Sequence, residues 1–546
     1  MRIRVRPAAT AVAAVLAATG LAACASTAPG PGNAAAGGPG QSDAAAGGNA
    51  AAASNATIPL LRVGLDLDVS NLDETKTIGA GNVTNMALET LEKFGPQGQL
   101  EPDLATSFSQ TSPVTYVYHL RHDAKFWDGH PVTATDVAYS LNYDRAPGSQ
   151  VAFAFTGVKS IVATDPYTVT VTLTEPEASW QYVPAELNSY VFEKAFQQAH
   201  QTTFGQPGTL TMGSGPWIID SFDPTKGAVA TANPHWWGGK VPVQRVEFTF
   251  FSSETSLALA FRAGEIDVDP SITSPKSFAA TSGAKLLAVP SCSNNWFGMN
   301  TSQPGWNDVH VRRAVAYALN RTDIIAAEGG YATPIYTFSP SSLLLSVASQ
   351  SQVNALLGTL RLYPYNLAAA RAQMAQSAYP HGFSATILLY DDGTVPDVNQ
   401  VIAAELARIG IKIQLKAMAV TPWQGVQSGP AAKRSTVFAS GGCFQPDPGT
   451  YADFLGSNNM AVGDWNIANY TPPAVDTLLA QGQVTTNPAQ RFAIYSELTQ
   501  RLQADVPYVG LFVSDRVAAL APKFTWPDFS QWDWESDYLL GIRPAA

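Results

Sequence analysis

The chain has 546 residues, too many for one hydrophobic core, so it should divide into two or three lobes. A hydrophobic share of 46% and a charged share of 14% describe an ordinary globular interior and leave disorder to short segments. The net charge of −11, with no basic stripe, argues against nucleic acid as a partner, because phosphate binding needs clustered Lys and Arg.

Arg2, Arg4 and Arg6 precede a short apolar run, Ala8 to Leu16 with Leu21, broken by Thr10, Thr19 and Gly20. The run is too short to span a bilayer, so residues 1–23 read as an export signal. It ends Leu21-Ala22-Ala23-Cys24, which resembles the lipobox of bacterial lipoproteins and implies lipidation of Cys24; a chance cysteine is the alternative. Each buried methylene of such an anchor contributes about 0.8 kcal/mol, enough for several acyl chains to hold the body on the extracytoplasmic face of the cell membrane. The rest of residues 24–57 is almost wholly Ala, Gly, Ser, Pro and Asn, a flexible linker with a reach of roughly 30 Å.

Ile58 to Leu65 is an apolar strand candidate, followed by a polar loop and a helix expected near Asn82 to Lys93. Gly79-Ala80-Gly81-Asn82 has the look of a phosphate-cradling turn, but no strand directly precedes it and no third glycine follows, so a nucleotide site is discounted. In Thr115–Leu120, Tyr116, Tyr118 and Leu120 alternate with Val117 and His119, the period of a strand with two unlike faces. Asp128-Gly129 makes a turn, and Thr133 with Asp136 three residues on reads as a cap opening a helix through Val137 and Leu141. Val158 to Ala163 and Tyr167 to Leu173 are further strands.

Val243 to Phe251 alternates as a strand and leads into a helix from Ser253 to Ala263. Asp308 can cap a helix whose Val311, Val315, Ala318 and Leu319 share one face. Thr386–Tyr390, Val395–Ile409 and Ile411–Leu415 read as strand, helix and strand, a parallel crossover with Gly410 as the helix cap. A last long helix begins at Asn487-Pro488 and stops at Pro507, after which Tyr508 to Val513 returns as a strand.

Several strings in this order resemble family 5 of the bacterial solute-binding proteins, the dipeptide, oligopeptide and nickel receptors of ABC importers. They are Pro102-Asp103-Leu104-Ala105, Leu120-Arg121 with Lys125-Phe126-Trp127-Asp128-Gly129, Pro131 to Val137, Gly213 to Trp217, Asn233 to Gly239, Gly264 to Asp267, and Asn295 to Ile325. The resemblance implies an α/β, periplasmic-binding-protein-like fold (class II, cluster C), two lobes around a cleft with an extra small subdomain. On that basis residues 58–97, 209–288 and 504–546 form the first lobe, 98–208 the small second lobe and 289–503 the third.

The implied function is a substrate-binding lipoprotein, monomeric and without cofactor, that captures short peptides or a similarly sized solute and delivers it to a permease and its ATPase. The alternatives are a same-fold sensor or hydrolase, or a receptor for a sugar, nickel chelate or haem. Cys292 and Cys443, in an oxidising compartment, are either a disulfide or two buried thiols; several family members carry a bridge at these two places, so the resemblance implies a disulfide. No HExxH helix, GxSxG elbow, Walker A loop or zinc-spaced His set occurs among the seven His, so neither a catalytic nor a metal site is expected.

The resemblance also proposes ligand contacts. The loop around Gly79 to Asn82 helps form the family's cavity, making Asn82 a candidate, and Trp296 and Asn300 lie beside the cleft. Peptide receptors often carry an aspartate shortly before an acid-proline pair; here the pair is Asp447-Pro448, but the aspartate's place falls on Phe444 or Gln445, neither charged. A buried ammonium needs a charged or well-bonded partner. Either Asp447 or Asp464 meets it, or the ligand is uncharged and stacks on Trp296, Phe444 and Trp465.

Overall fold

The computed structural model describes residues 56–545, apart from 68, 78, 392, 431, 432, 444 and 462. The signal segment, Cys24, the linker up to residue 55, and Phe444 lie outside the described residues.

The first lobe grows from Leu61–Leu65, whose Leu61, Val63 and Leu65 are all buried. This strand lies parallel to both Arg245–Phe250 and Val268–Asp269, so the helix Glu254–Arg262 between those two is a crossover. Ser253 caps that helix, its hydroxyl accepting from the Ser256 N–H at 3.3 Å. Trp217–Asp223 and Gly227–Ala232 extend the sheet antiparallel on the far side.

The second lobe is a separate antiparallel sheet of Ala105–Ser112, Thr115–Leu120, Thr168–Leu173 and Val158–Asp165. Tyr116, Tyr118 and Leu120 turn inward onto the helix Ala134–Asp144, where Val137 and Leu141 meet Val169 and Val171. Asp136 anchors the start of that helix by accepting from the Thr133 N–H at 3.1 Å and the Thr133 hydroxyl at 2.6 Å.

In the third lobe the parallel pair Phe383–Tyr390 and Ile411–Met418 is joined by the helix Val395–Ala407, whose Val398, Ile402 and Leu406 are fully buried. Asp308 caps Val309–Ala318 through the His310 N–H at 2.8 Å, and Asn487 caps Pro488–Asp505 through the Gln490 N–H at 3.1 Å.

Two 13-residue strands, Leu286–Gly298 and Tyr508–Leu520, carry one sheet through both lobes. Their first-lobe halves pair Leu286–Pro290 with Asp515–Ala519, and their third-lobe halves pair Asn294–Gly298 with Tyr508–Val513. The ladder is interrupted between Pro290 and Asn294. Tyr508 to Val513 therefore belongs to the third lobe's core, with Val509, Leu511 and Phe512 packed beside Phe297, and the chain enters the first lobe only beyond Val513.

The helix expected near Asn82 to Lys93 is a single turn, Gly81–Thr84, followed by irregular chain and the strand Glu92–Phe94. Tertiary bonds override the helical pattern: the Gly215 N–H donates to the Ala87 carbonyl at 3.0 Å and the Trp217 N–H to the Met86 carbonyl at 3.1 Å. Gly213 permits this approach, since a Cβ there would lie 2.1 Å from the Ala87 oxygen.

Candidate functional site

The break in the shared ladder puts a row of polar residues between two lobes. Ser291, Cys292 and Ser293 occupy it on one strand and Ser514 on the other, with Asp515 and Arg516 paired beside it to Pro290 and Val289. The Ser291 hydroxyl donates to the Ser514 carbonyl at 2.6 Å, and Asn295 Nδ2 donates to Ser514 Oγ at 3.0 Å, so the polar row is internally braced. Cys292 is bonded to Cys443, just past the third-lobe edge strand Val437–Gly441, with Cα atoms 5.5 Å apart. The bridge pins the interrupted strand to the third lobe.

Two cavities open on this row and share Ser293, Gly442 and Ser514. The larger, about 480 Å³, lies between Thr273 and Ser274 of the first lobe and Tyr390, Thr394, Ser440 and Gly441 of the third. The smaller, about 270 Å³, is walled by Ser271 and Ile272, by Ser514 to Val517 of the crossing strand, and by the C-terminal Gln531, Trp532 and Trp534. A third space of about 470 Å³ meets it at Cys292, Gln531 and Trp532 and runs between the second lobe and the third, past Gln97, Tyr182 and Ser346. Beyond it the second and third lobes touch directly, the Ala178 N–H donating to the Gln483 carbonyl at 2.8 Å.

The charges are few and poorly compensated. Glu328 borders the larger cavity and accepts from Thr394 Oγ1 at 2.6 Å; burial raises its carboxyl above the usual range. Asp515 Oδ1 and Arg516 Nε are sealed from solvent without a hydrogen-bond partner, and burial pushes the Asp515 carboxyl up and the Arg516 guanidinium down. Behind them Asp269 is buried with Oδ2 unpartnered, and burial pushes it up to about 7. The interior of the cleft resists any charge that lacks a counter-charge.

The ligand candidates singled out from the sequence that lie among the described residues are placed away from these three cavities. Asp447 is buried against Arg491 in a two-pronged pair, 2.5 Å to Nη1 and 2.6 Å to Nη2, and caps the Gly449 N–H at 2.6 Å. It forms a buried ion pair inside the third lobe. Trp296 is fully buried, its Nε1 donating to the Phe338 carbonyl at 2.6 Å and its ring stacked on Phe338. Asn300 Nδ2 donates to the Arg434 carbonyl at 2.7 Å while its Oδ1 accepts from the Ser302 N–H, so it too holds the third lobe together. Trp465 packs on the core around Leu478 and Tyr495.

Gln445 Nε2 donates to Glu186 Oε1 at 2.5 Å, a link from third lobe to second, and Asn82 donates to its own turn at the Gly79 carbonyl, 3.1 Å away. None of these six lines the three cavities. Asp464 caps the Ala461 N–H at 2.8 Å. A polar interruption in an apolar strand, Ser514-Asp515-Arg516 between Tyr508–Val513 and Val517–Leu520, was the available signal for this polar stretch.

One group of possible metal ligands occurs among the described residues. His130 Nδ1 lies 2.8 Å from Asp128 Oδ2 and 2.9 Å from Glu193 Oε1, and these carboxylates raise the imidazole's pKa, Glu193 first. None of the three borders the cleft cavities.

Comparison with known proteins gives this architecture its context. The glutathione-binding protein GsiB of Escherichia coli (strain K12) is 25% identical over 439 residues, covering 78% of this chain and 83% of that protein. The structure superimposes on the ABC transporter-associated periplasmic binding protein DppA from Helicobacter pylori, in complex with peptide STSA, with a TM-score of 0.69 at 22% identity, over 90% of this chain and 99% of that one. It superimposes on HbpA2 from Haemophilus parasuis with a TM-score of 0.76 at 21% identity, over 89% of this chain and 100% of that one. The fold is that of the periplasmic binding proteins. The profile of bacterial extracellular solute-binding proteins, family 5 (middle region), matches residues 99–474, well over half of the chain, and the chain belongs to that family.

Proposed function

We propose that this protein is the solute receptor of an ABC importer, a monomer that captures a short peptide or a similarly sized solute and presents it, chemically unchanged, to a membrane permease driven by its ATPase. The observation that carries the reading is the pair of contiguous cavities, about 480 and 270 Å³, built where two strands pass from one lobe to the other. Space of this size suits a small solute. Rotation about the interrupted ladder would change the gap between Ile272 or Thr273 and Gly442 while leaving each lobe's core intact, the hinge form of domain closure. Relatives described as binding glutathione or peptide support a peptide-sized ligand.

Cys24 is proposed as the lipidated residue, with the linker giving the body room to reach its permease from the extracytoplasmic face of the membrane. Cys24→Ala in the native host is expected to release the protein into the soluble fraction; retention on the membrane would remove the anchor from the proposal. The receptor role is tested with a body starting at residue 56. Peptide, sugar, nickel-chelate and haem sets are screened by thermal shift and tryptophan fluorescence, and bound solute is recovered for mass spectrometry. Saturable binding with intact recovery is the expected result, and turnover of the solute would overturn it.

A further inference from the structure

In the second lobe, away from the cleft, a tight turn and the chain entering the helix Lys194–Ala199 meet at one imidazole. Asp128 and His130 flank Gly129, whose φ of +95° closes the turn, and the Phe126 N–H donates to the His130 carbonyl at 2.9 Å. Asp128 Oδ1 accepts from the His130 N–H at 3.0 Å, which leaves Oδ2 facing His130 Nδ1 at 2.8 Å. Glu193 comes from 63 residues further along the chain, with Oε1 2.9 Å from the same nitrogen. Its backbone is fixed on both sides: the Glu193 N–H donates to the Met212 carbonyl at 3.0 Å, and its carbonyl accepts from the Gln197 N–H at 3.1 Å.

Two carboxylates therefore converge on one ring nitrogen. Among the described residues no Lys or Arg comes within ion-pair distance of Asp128 or Glu193, and the Lys194 ammonium lies over the Tyr139 ring instead. Glu193 is only 6% exposed, yet its Oε2 takes no hydrogen bond among the described residues. A carboxylate so deeply buried ordinarily has its oxygens bonded. The His130 side chain is 70% exposed, so the cluster can be approached from solvent. Other histidines of the same lobe and the third take neutral partners: His119 meets the Thr168 hydroxyl, His122 stacks on Tyr167, and His310 meets the Gln373 amide. With the His130 imidazole neutral, its lone pair and the two negative carboxylates lie within 4.8 Å of one another, the donor set of a divalent cation.

We propose that Asp128, His130 and Glu193 form a binding site for a divalent transition-metal ion of the zinc class, with His130 Nδ1 and one oxygen of each carboxylate as ligands and water completing the shell. The ring nitrogen sets the class, because calcium and magnesium take oxygen ligands throughout, whereas zinc accepts imidazole and carboxylate together. The bound ion ties the Asp128–His130 turn to the segment entering Lys194–Ala199, two parts of one lobe that are otherwise far apart in sequence. None of the three residues borders the cleft cavities, so this ion is held by the body and is separate from the solute. The site stands independently of the receptor reading.

The test uses the full-length chain, stripped with a chelator and dialysed in slightly alkaline buffer against Zn²⁺ alone, with bound metal counted by elemental mass spectrometry. His130→Ala, Glu193→Gln and Asp128→Asn are treated identically and checked for fold by near-UV circular dichroism, so zinc held elsewhere, at Cys24 for example, cancels in the comparison. The native chain is expected to take up one more ion than His130→Ala, and each carboxylate variant to bind that ion at least about 10-fold more weakly. Zinc should raise the melting temperature of the native chain and leave that of His130→Ala unchanged, and Ca²⁺ at the same concentration should do neither. Should His130→Ala fail to fold, Glu193→Gln, which keeps the side chain's shape, decides. Equal uptake and equal thermal shift in native and variant chains overturn the site, as do no uptake by the native chain or a Ca²⁺ effect that matches zinc. Any of these results leaves the receptor reading in place, and a failure to bind solute leaves the metal site in place.

Discussion

Removing the Asp447 carboxylate separates a structural ion pair from a ligand contact. Asp447 and Arg491 are each almost inaccessible, with side-chain exposures of 1% and 3%, and are joined by two short bonds. Asp447→Ala leaves the guanidinium buried with only the Gly482 carbonyl on Nε and frees the Gly449 N–H at the start of Pro448–Phe454. Breaking one side of such a pair costs about 3–5 kcal/mol, because the surviving charge keeps its desolvation penalty and loses its partner. Replacing both, Asp447→Leu with Arg491→Met, removes both charges and should cost much less than the single change. Urea unfolding followed by near-UV circular dichroism reads both variants, and a solute titration runs beside it. If Asp447→Ala costs less than about 1 kcal/mol, or if it abolishes solute binding at unchanged stability, the carboxylate serves the ligand and the structural assignment is wrong.

Three further outcomes follow from the geometry. The Cys292–Cys443 bridge spans a sequence separation of 151, for which loop-closure entropy predicts about 5 kcal/mol of stabilisation. Cys292→Ser with Cys443→Ser should therefore lower the urea midpoint strongly, and an unchanged midpoint refutes the estimate. Gly510 sits on the crossing strand where a Cβ would lie 1.9 Å from the Thr337 carbonyl oxygen, so Gly510→Ala is expected to cost about 1–3 kcal/mol, read as a lowered melting temperature.

Burial pushes Glu74 and Glu92 each up to about 8, so the folded state holds protons that the unfolded chain releases above about pH 4.5. That stabilisation is complete below about pH 4.5 and is lost as pH rises through about 8. Melting temperature should fall from about pH 5 to about pH 9 and fall less steeply in Glu92→Gln. A rise over that range contradicts the assignment.

The local units were legible because their causes are local. The alternation of Tyr116, Tyr118 and Leu120, the Thr133–Asp136 cap, the Asp308 and Asn487 caps and the start of the crossover helix at Val395 all appear where their residue patterns place them, while that helix closes at Ala407, short of Ile409, with Arg408 rather than Gly410 at its cap. Motif strings carried the family as well, since they lie along most of the chain.

The candidate site was not legible in the same way. Asp447, Asn300 and Trp296 have the chemistry of ligand contacts, yet each satisfies a neighbour inside the third lobe: Arg491, the Arg434 carbonyl and the Phe338 carbonyl. Partners 44, 134 and 42 residues away decide this, and no spacing rule reveals them.

The amino-acid sequence by itself determined the strands, caps and turns and the family, because hydrophobic period and side-chain capping act within a few residues. Only the tertiary structure decided that Met86 to Leu91 is irregular chain under Gly213 to Trp217, that Leu286–Gly298 and Tyr508–Leu520 are shared by two lobes, and which buried charges remain unspent. Whether a buried polar atom is satisfied depends on which distant segment folds against it, and that is a property of the packed chain.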